Sequence, residues 1–130
     1  MGIKENAKAF FVNAPIEVVE SIALPSLDIL NKLEGDFDYI HLFVTSQAEL
    51  TEHFPRLKAC LRRKGMFWVS WPKGGQLGTD LNIKTVIKLG YNFGLVESTS
   101  LSIDTIWSGL KFTHPKKNKV YNNSYGQLKT

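Results

Sequence analysis

The sequence predicts a three-layer α/β domain on a mostly parallel sheet, with an antiparallel C-terminal edge hairpin. Two observations carry this. Apolar runs of strand length alternate with segments whose apolar residues recur at helical spacing, which gives a parallel sheet covered on both faces by right-handed crossovers. The last two strand-like runs are joined too closely for a crossover, so the final strand is expected to run antiparallel. A hydrophobic fraction of 43% over 130 residues supplies the core for one domain.

The elements follow in order. "AKAFFVNAP" starts as a buried strand and stops at Asn13 and Pro15. Pro15 suits a first helical turn, and Ile16, Val19, Ile22 and Ala23 keep helical spacing until Pro25. "LDILNKL" reads as a short strand. "FDYIHLFV" is apolar on both faces, the pattern of a central parallel strand. "SQAE" is a capping-box signature opening a helix with Leu50, Phe54, Leu57 and Leu61 on one face. Pro55 should kink or split that helix, Arg62, Arg63 and Lys64 should crowd its C-terminal end, and Gly65 should stop it. "MFWVSW" is the next strand. Thr79 or Asp80 is expected to cap a helix carrying Ile83, Val86, Ile87 and Tyr91, which closes near Gly94. "LVESTSLSI" and "SGLKFTH" form the hairpin. The whole reads as one compact Rossmann-like domain over residues 1–115, with a basic, flexible tail at 116–130.

Composition narrows the function classes. No apolar run approaches the ~20 residues that span a bilayer, and "MGIKENAKAFF" lacks the features of a signal peptide. A cytoplasmic location without membrane association is therefore expected. Cys60 is the single cysteine, which excludes an internal disulfide and a multi-cysteine zinc site. His53 and His114 have no partners at metal-ligand spacing, and no metal is expected. The net charge of +4 is uneven: five lysines and no acid lie from Lys111 onward, while the rest holds eleven basic and twelve acidic groups. The basic character belongs to the tail, so nucleic-acid binding by the folded body is not expected.

Ligands of open parallel sheets bind outside the carboxyl ends of the strands. The residues collected there are Asn13 after the first strand, Ser46 after "FDYIHLFV", and Trp71, Pro72 and Lys73 after "MFWVSW". Thr79 and Asp80 open a helix beside them, and Asp104 and Trp107 lie in the turn of the final hairpin. These nine are ligand-binding candidates by position; no catalytic residue is named. Trp68 reads as core, and Trp71 as either core or rim. His41 reads as a hydrogen-bonded core histidine. Lys73 is expected to be exposed. "WPKGGQLGTD" is long for a strand–helix connector and rich in glycine, and an anionic or carboxylate-bearing group would suit its lysine and tryptophan. No GK[ST] follows these glycines, so a nucleotide P-loop is not supported.

"FDYIHLFV", a helix, "LRRKGMFWVSW", a helix and a strand hairpin resemble, in order and spacing, the second half of S-adenosylmethionine-dependent methyltransferases. "TSQAEL", "WVSWPK", "TDL" and "WSGLKF", with "NAP" after the first strand, also resemble a small bacterial family, domain of unknown function three-zero-five-two. That resemblance implies Trp71, Pro72, Lys73, Asp80, Trp107, Ser108 and Gly109 as signature positions, which adds Ser108 as a tenth ligand-binding candidate, and it brings no reaction. The methyltransferase resemblance implies a glycine-rich turn after the first strand and an acid after the second. "VNAPIEV" holds no glycine, and Glu34 or Asp36 would have to serve as the acid. The expectation drawn from these departures is a non-catalytic domain with no cofactor, whose rim binds a small molecule or a protein partner, as monomer or homodimer. The alternative is a divergent S-adenosylmethionine-dependent methyltransferase. A third reading is nucleic-acid binding through the lysine tail.

Overall fold

The computed structural model describes residues 3–22, 24–30 and 32–116. The expected basic tail therefore lies outside the described residues, apart from Lys116. The elements are β1 (Lys8–Val12), α1 (Ile16–Ser21), β2 (Asp28–Ile29), β3 (Phe37–Phe43), α2 (Gln47–Lys58), β4 (Leu61–Pro72), α3 (Ile83–Asn92), β5 (Val96–Ser102) and β6 (Trp107–Thr113). They build one six-stranded sheet in the order β2-β1-β3-β4-β6-β5. Strands β2, β1, β3 and β4 pair in parallel, and β6 runs antiparallel to both β4 and β5. The α/β architecture expected from the sequence is the one observed. The reversed strand lies inside the sheet, and β5 forms the edge.

The alternation along the strands assigns the faces. Ile40 and Leu42 of β3 and Val69 and Trp71 of β4 join the cluster that holds Leu50, Phe54 and Leu57 of α2 and Val86, Ile87 and Tyr91 of α3. Tyr39 and Trp68 belong to a second cluster, and Phe43 packs with Val18 and Trp107 in a third. The two tryptophans of "WVSW" thus point to opposite faces, three residues apart.

Three local expectations are corrected. Helix α2 is continuous through Pro55, because the proline falls in the last turn. The N–H it lacks would have met the carbonyl of Thr51, an exposed residue whose carbonyl water can serve. Arg62, Arg63 and Lys64 belong to β4 and not to a helix end. Between the pairs Phe37–Leu61 and Tyr39–Met66, residues Arg62 to Gly65 oppose Asp38 alone, so the cations bulge outward. Arg62 meets Asp38 at 2.5 Å. Finally, α3 is capped by Asn82, whose Oδ1 accepts the Thr85 N–H at 3.0 Å, and not by Thr79 or Asp80.

Gly90 marks the closest approach of α3 to the sheet. A Cβ built there lies 2.0 Å from Cε1 of Phe112, which is fully buried. Alanine in a helix interior ordinarily gains about 1 kcal/mol over glycine, whereas overpacking costs about 1–3 kcal/mol. At this overlap the steric cost is the larger, and Gly90→Ala is expected to destabilise by about 2 kcal/mol, read as a lower urea midpoint.

Candidate functional site

The carboxyl ends of β1, β3 and β4 share one rim, and the β5–β6 turn joins it because Pro72 pairs with Trp107. Each sequence candidate has an identifiable place there. Asn13 follows β1, is exposed, and sits in the left-handed region at φ 56°. Ser46 caps α2, its Oγ accepting the Glu49 N–H at 3.2 Å. Glu49 Oε1 in turn accepts the Thr45 hydroxyl at 2.7 Å and the Thr45 N–H at 3.0 Å. Those two bonds, the hydroxyl first, hold the Glu49 carboxyl below its ordinary value. Asp80 reaches across to α2, its Oδ1 accepting the Gln47 N–H at 2.8 Å. Thr79 Oγ1 accepts the Leu81 N–H at 3.1 Å. Asp104 Oδ1 closes the hairpin turn by accepting from Ile106 N at 2.8 Å and Trp107 N at 2.7 Å. Trp107 packs edge-on to Phe43 with centroids 5.2 Å apart.

Lys73 is not the solvated lysine expected. Its backbone N–H donates to the Ile106 carbonyl at 2.7 Å, and its Nζ donates to Ser102 Oγ and to the Asp104 carbonyl. The residue straps the end of β4 to the hairpin turn and is half-buried. Gly74 and Gly75, at φ 55° and 76°, make the reversal that lets it do so. Gln76 Nε2 adds a fourth hydrogen bond, to the Thr105 carbonyl at 3.3 Å.

A cleft of about 470 Å³ opens at this end of β4. Trp71, Lys73 and Ser108 line it, so three of the ten sequence candidates meet there. Asn13, Ser46, Pro72, Thr79, Asp80, Asp104 and Trp107 share the rim without lining the cleft. Leu81, Asn82, Ile83, Ser100 and Ser102 line it and were not singled out from the sequence. A usable signal existed in "STSLS", where serines two apart share one face of a strand. Among the described residues no three His, Cys, Asp or Glu side chains gather as a metal site.

On the other face, His41 is wholly buried, with Nδ1 2.6 Å from Tyr39 Oη and Nε2 2.7 Å from Ser70 Oγ. Burial drives the imidazole down to about 3 and the Tyr39 phenol upward. Ser70 is wholly buried too, so this chain is a satisfied core network and not an exposed nucleophile.

No family model and no curated protein matches the chain. Solved structures do. It superposes on a ribosomal protein L11 methylase from Lactobacillus delbrueckii subsp. bulgaricus with a TM-score of 0.61 at 10% identity, covering 88% of this chain and 73% of that one. The fold is methyltransferase-like. A TehB-like SAM-dependent methyltransferase from Corynebacterium glutamicum gives a TM-score of 0.57 at 12% identity, with 87% and 83% of the two chains covered. The fibrillarin pre-rRNA processing protein of Methanococcus jannaschii gives 0.54 at 12% identity, over 89% and 70%.

These neighbours correct the expectation of a non-catalytic binding domain. The fold they share is that of methyltransferases, and the balance moves to the divergent-methyltransferase alternative. The absent glycine turn weighed against that alternative, but Asn13 supplies a left-handed residue in the turn after β1 without glycine. Glu34 and Asp36 are a different matter. The Glu34 carbonyl accepts from Lys8 Nζ, and Asp36 directly precedes β3, so both lie at the amino end of the sheet, away from the rim. No helix among the described residues is long and apolar enough to cross a membrane.

Proposed function

We propose that this chain is a divergent S-adenosylmethionine-dependent methyltransferase working at the carboxyl rim of its sheet. The observation that carries the reading is Asn13. It places a left-handed residue in the turn between β1 and α1, a backbone conformation for which glycine is otherwise used. At this end Asn13 and Ala14 would hold the methionine moiety of the cofactor, and Thr45, two residues beyond β3, would border it. They do not supply the usual acid for the ribose, because Glu34 and Asp36 sit at the opposite end. When bound, the cofactor supplies an electrophilic methyl group. The chain's own part would be to hold an acceptor in the cleft at the carboxyl end of β4, against the apolar side chains of Trp71 and Leu81.

The segments "TSQAEL", "WVSWPK", "TDL" and "WSGLKF" support kinship with the bacterial family of domain of unknown function three-zero-five-two. A cytoplasmic setting and a single domain through residue 115 complete the reading.

Calorimetry with S-adenosylmethionine and the full chain is the test. Micromolar binding is expected in the wild type and in Asn13→Gly. Asn13→Val should bind roughly tenfold more weakly, since a β-branched residue resists the left-handed region. No heat at millimolar cofactor would end the methyl-transfer reading.

A further inference from the structure

We propose that the cleft beside β4 takes a small carboxylate-bearing molecule with an apolar body. In its role as methyl acceptor this ligand rests on the reading above, whereas its binding does not. The volume of about 470 Å³ lies within the range of small-molecule sites, about 300–1,000 Å³. The lining divides by chemistry. Trp71, Leu81 and Ile83 give apolar walls, while Ser100, Ser102 and Ser108 bring hydroxyls from the edge hairpin. Register places the serines together: Ser108 pairs with Trp71 on one side and Ser102 on the other, and Ser100 pairs with Leu110 one step further along the same face.

Charge selects the ligand. The Lys73 ammonium donates to Ser102 Oγ and the Asp104 carbonyl, both neutral oxygens. An ammonium has three donors, and these contacts compensate none of its charge. Carboxylates close in sequence face other groups: Asp104 accepts from Ile106 and Trp107, and Asp80 from Gln47. No carboxylate is among the residues lining the cleft. The cation is also held in place at both ends of its side chain, so a ligand need not immobilise it. The single positive charge of Lys73 balances the single negative charge of a carboxylate, whereas a phosphate monoester carries about −1.5 to −2 near pH 7. At the mouth, Gly74 and Gly75 leave open space, since a Cβ built on either meets no atom within 4 Å.

The experiment is an amide and indole NMR titration of the full chain, without S-adenosylmethionine, using phenylacetate and its neutral isostere phenylacetamide. Phenylacetate should shift the Trp71 indole and the amides of Ser100 to Ser102, and bind roughly tenfold more tightly than phenylacetamide. Lys73→Gln should bring the acid down to the affinity of the amide, and Ser108→Ala should weaken the acid several-fold in a folded protein. Equal affinities for acid and amide, or shifts confined to other parts of the molecule, would overturn the proposal. If Lys73→Gln unfolds, the wild-type preference for acid over amide and its weakening by salt decide the matter. Binding of phenylacetate by a chain that gives no heat with S-adenosylmethionine would remove the enzyme reading and leave this one standing.

Discussion

Phe54→Ala is expected to lower the stability of the protein by about 4 kcal/mol, a large share of the roughly 5–15 kcal/mol that holds a domain of this size together. Phe54 is fully buried and sits where three aromatic rings converge. It stacks on Phe67 with centroids 4.8 Å apart and on Phe93 at 5.1 Å, and meets Phe112 edge-on at 5.6 Å. These partners come from β4, the end of α3 and β6, so one side chain ties α2 to three other parts of the fold. Truncation leaves a cavity that rigid neighbours fill poorly, and each lost ring pair adds about 0.5–1.5 kcal/mol beyond burial. Denaturant unfolding of Phe54→Ala and Phe54→Leu checks this. Leucine keeps most of the volume and should retain more than half of the lost stability. A loss below about 1.5 kcal/mol for alanine would mean that α2 collapses onto the sheet without a persistent cavity.

That packing was legible because its causes are local and periodic. Leu50, Phe54 and Leu57 recur at helical spacing, and all three are buried. Asn13 and Pro15 end β1 as expected, and "FDYIHLFV" forms a central parallel strand. The errors arose where several residues compete for one task. Thr79, Asp80 and Asn82 are all competent caps, and only tertiary geometry shows that Asp80 serves α2 while Asn82 serves α3. The "RRKG" segment looked like a helix end because cations and glycine usually mark one; register between β3 and β4 makes it a bulge instead.

The candidate site was legible as a rim and not as a cleft. The rule that ligands sit at carboxyl ends of strands put Trp71 and Lys73 on the rim, and Ser108 came only from the family resemblance. It could not find Ser100 and Ser102, because their place depends on β6 inserting between β4 and β5. The strap made by Lys73 was equally hidden, since its partners lie about thirty residues away in the sequence. The absent glycines carry less weight for a related reason. Sequence shows residue type, whereas a tight turn requires a backbone conformation, and Asn13 adopts the left-handed one with a side chain in place.

Acid should weaken the protein earlier than its carboxylates would, through His41. The imidazole is fully buried, and desolvation drives it down to about 3 from its ordinary 6.5. The sign follows from linkage. Above pH 6.5 the ring is neutral in both folded and unfolded chains and adds no pH dependence. Below 6.5 the unfolded chain takes up a proton that the folded chain refuses, so stability falls by about 1.4 kcal/mol per pH unit until the pH nears 3. At pH 5 the loss is about 2 kcal/mol. The lowered Glu49 carboxyl acts in a separate window, below its ordinary 4.5. Urea midpoints of the wild type at pH 7, 6 and 5 give the slope. His41→Leu should remove it but leave the hydroxyls of Tyr39 and Ser70 unpartnered in the core, at about 1–3 kcal/mol each. The triple variant Tyr39→Phe, His41→Leu, Ser70→Ala removes all three polar groups together. It should recover most of the stability at pH 7 and show no slope down to pH 5, because an apolar layer has nothing to protonate. A wild type whose midpoint stays level from pH 7 to 5 would mean that the ring takes up its proton in the folded state, with Tyr39 and Ser70 accepting hydrogen bonds from the imidazolium.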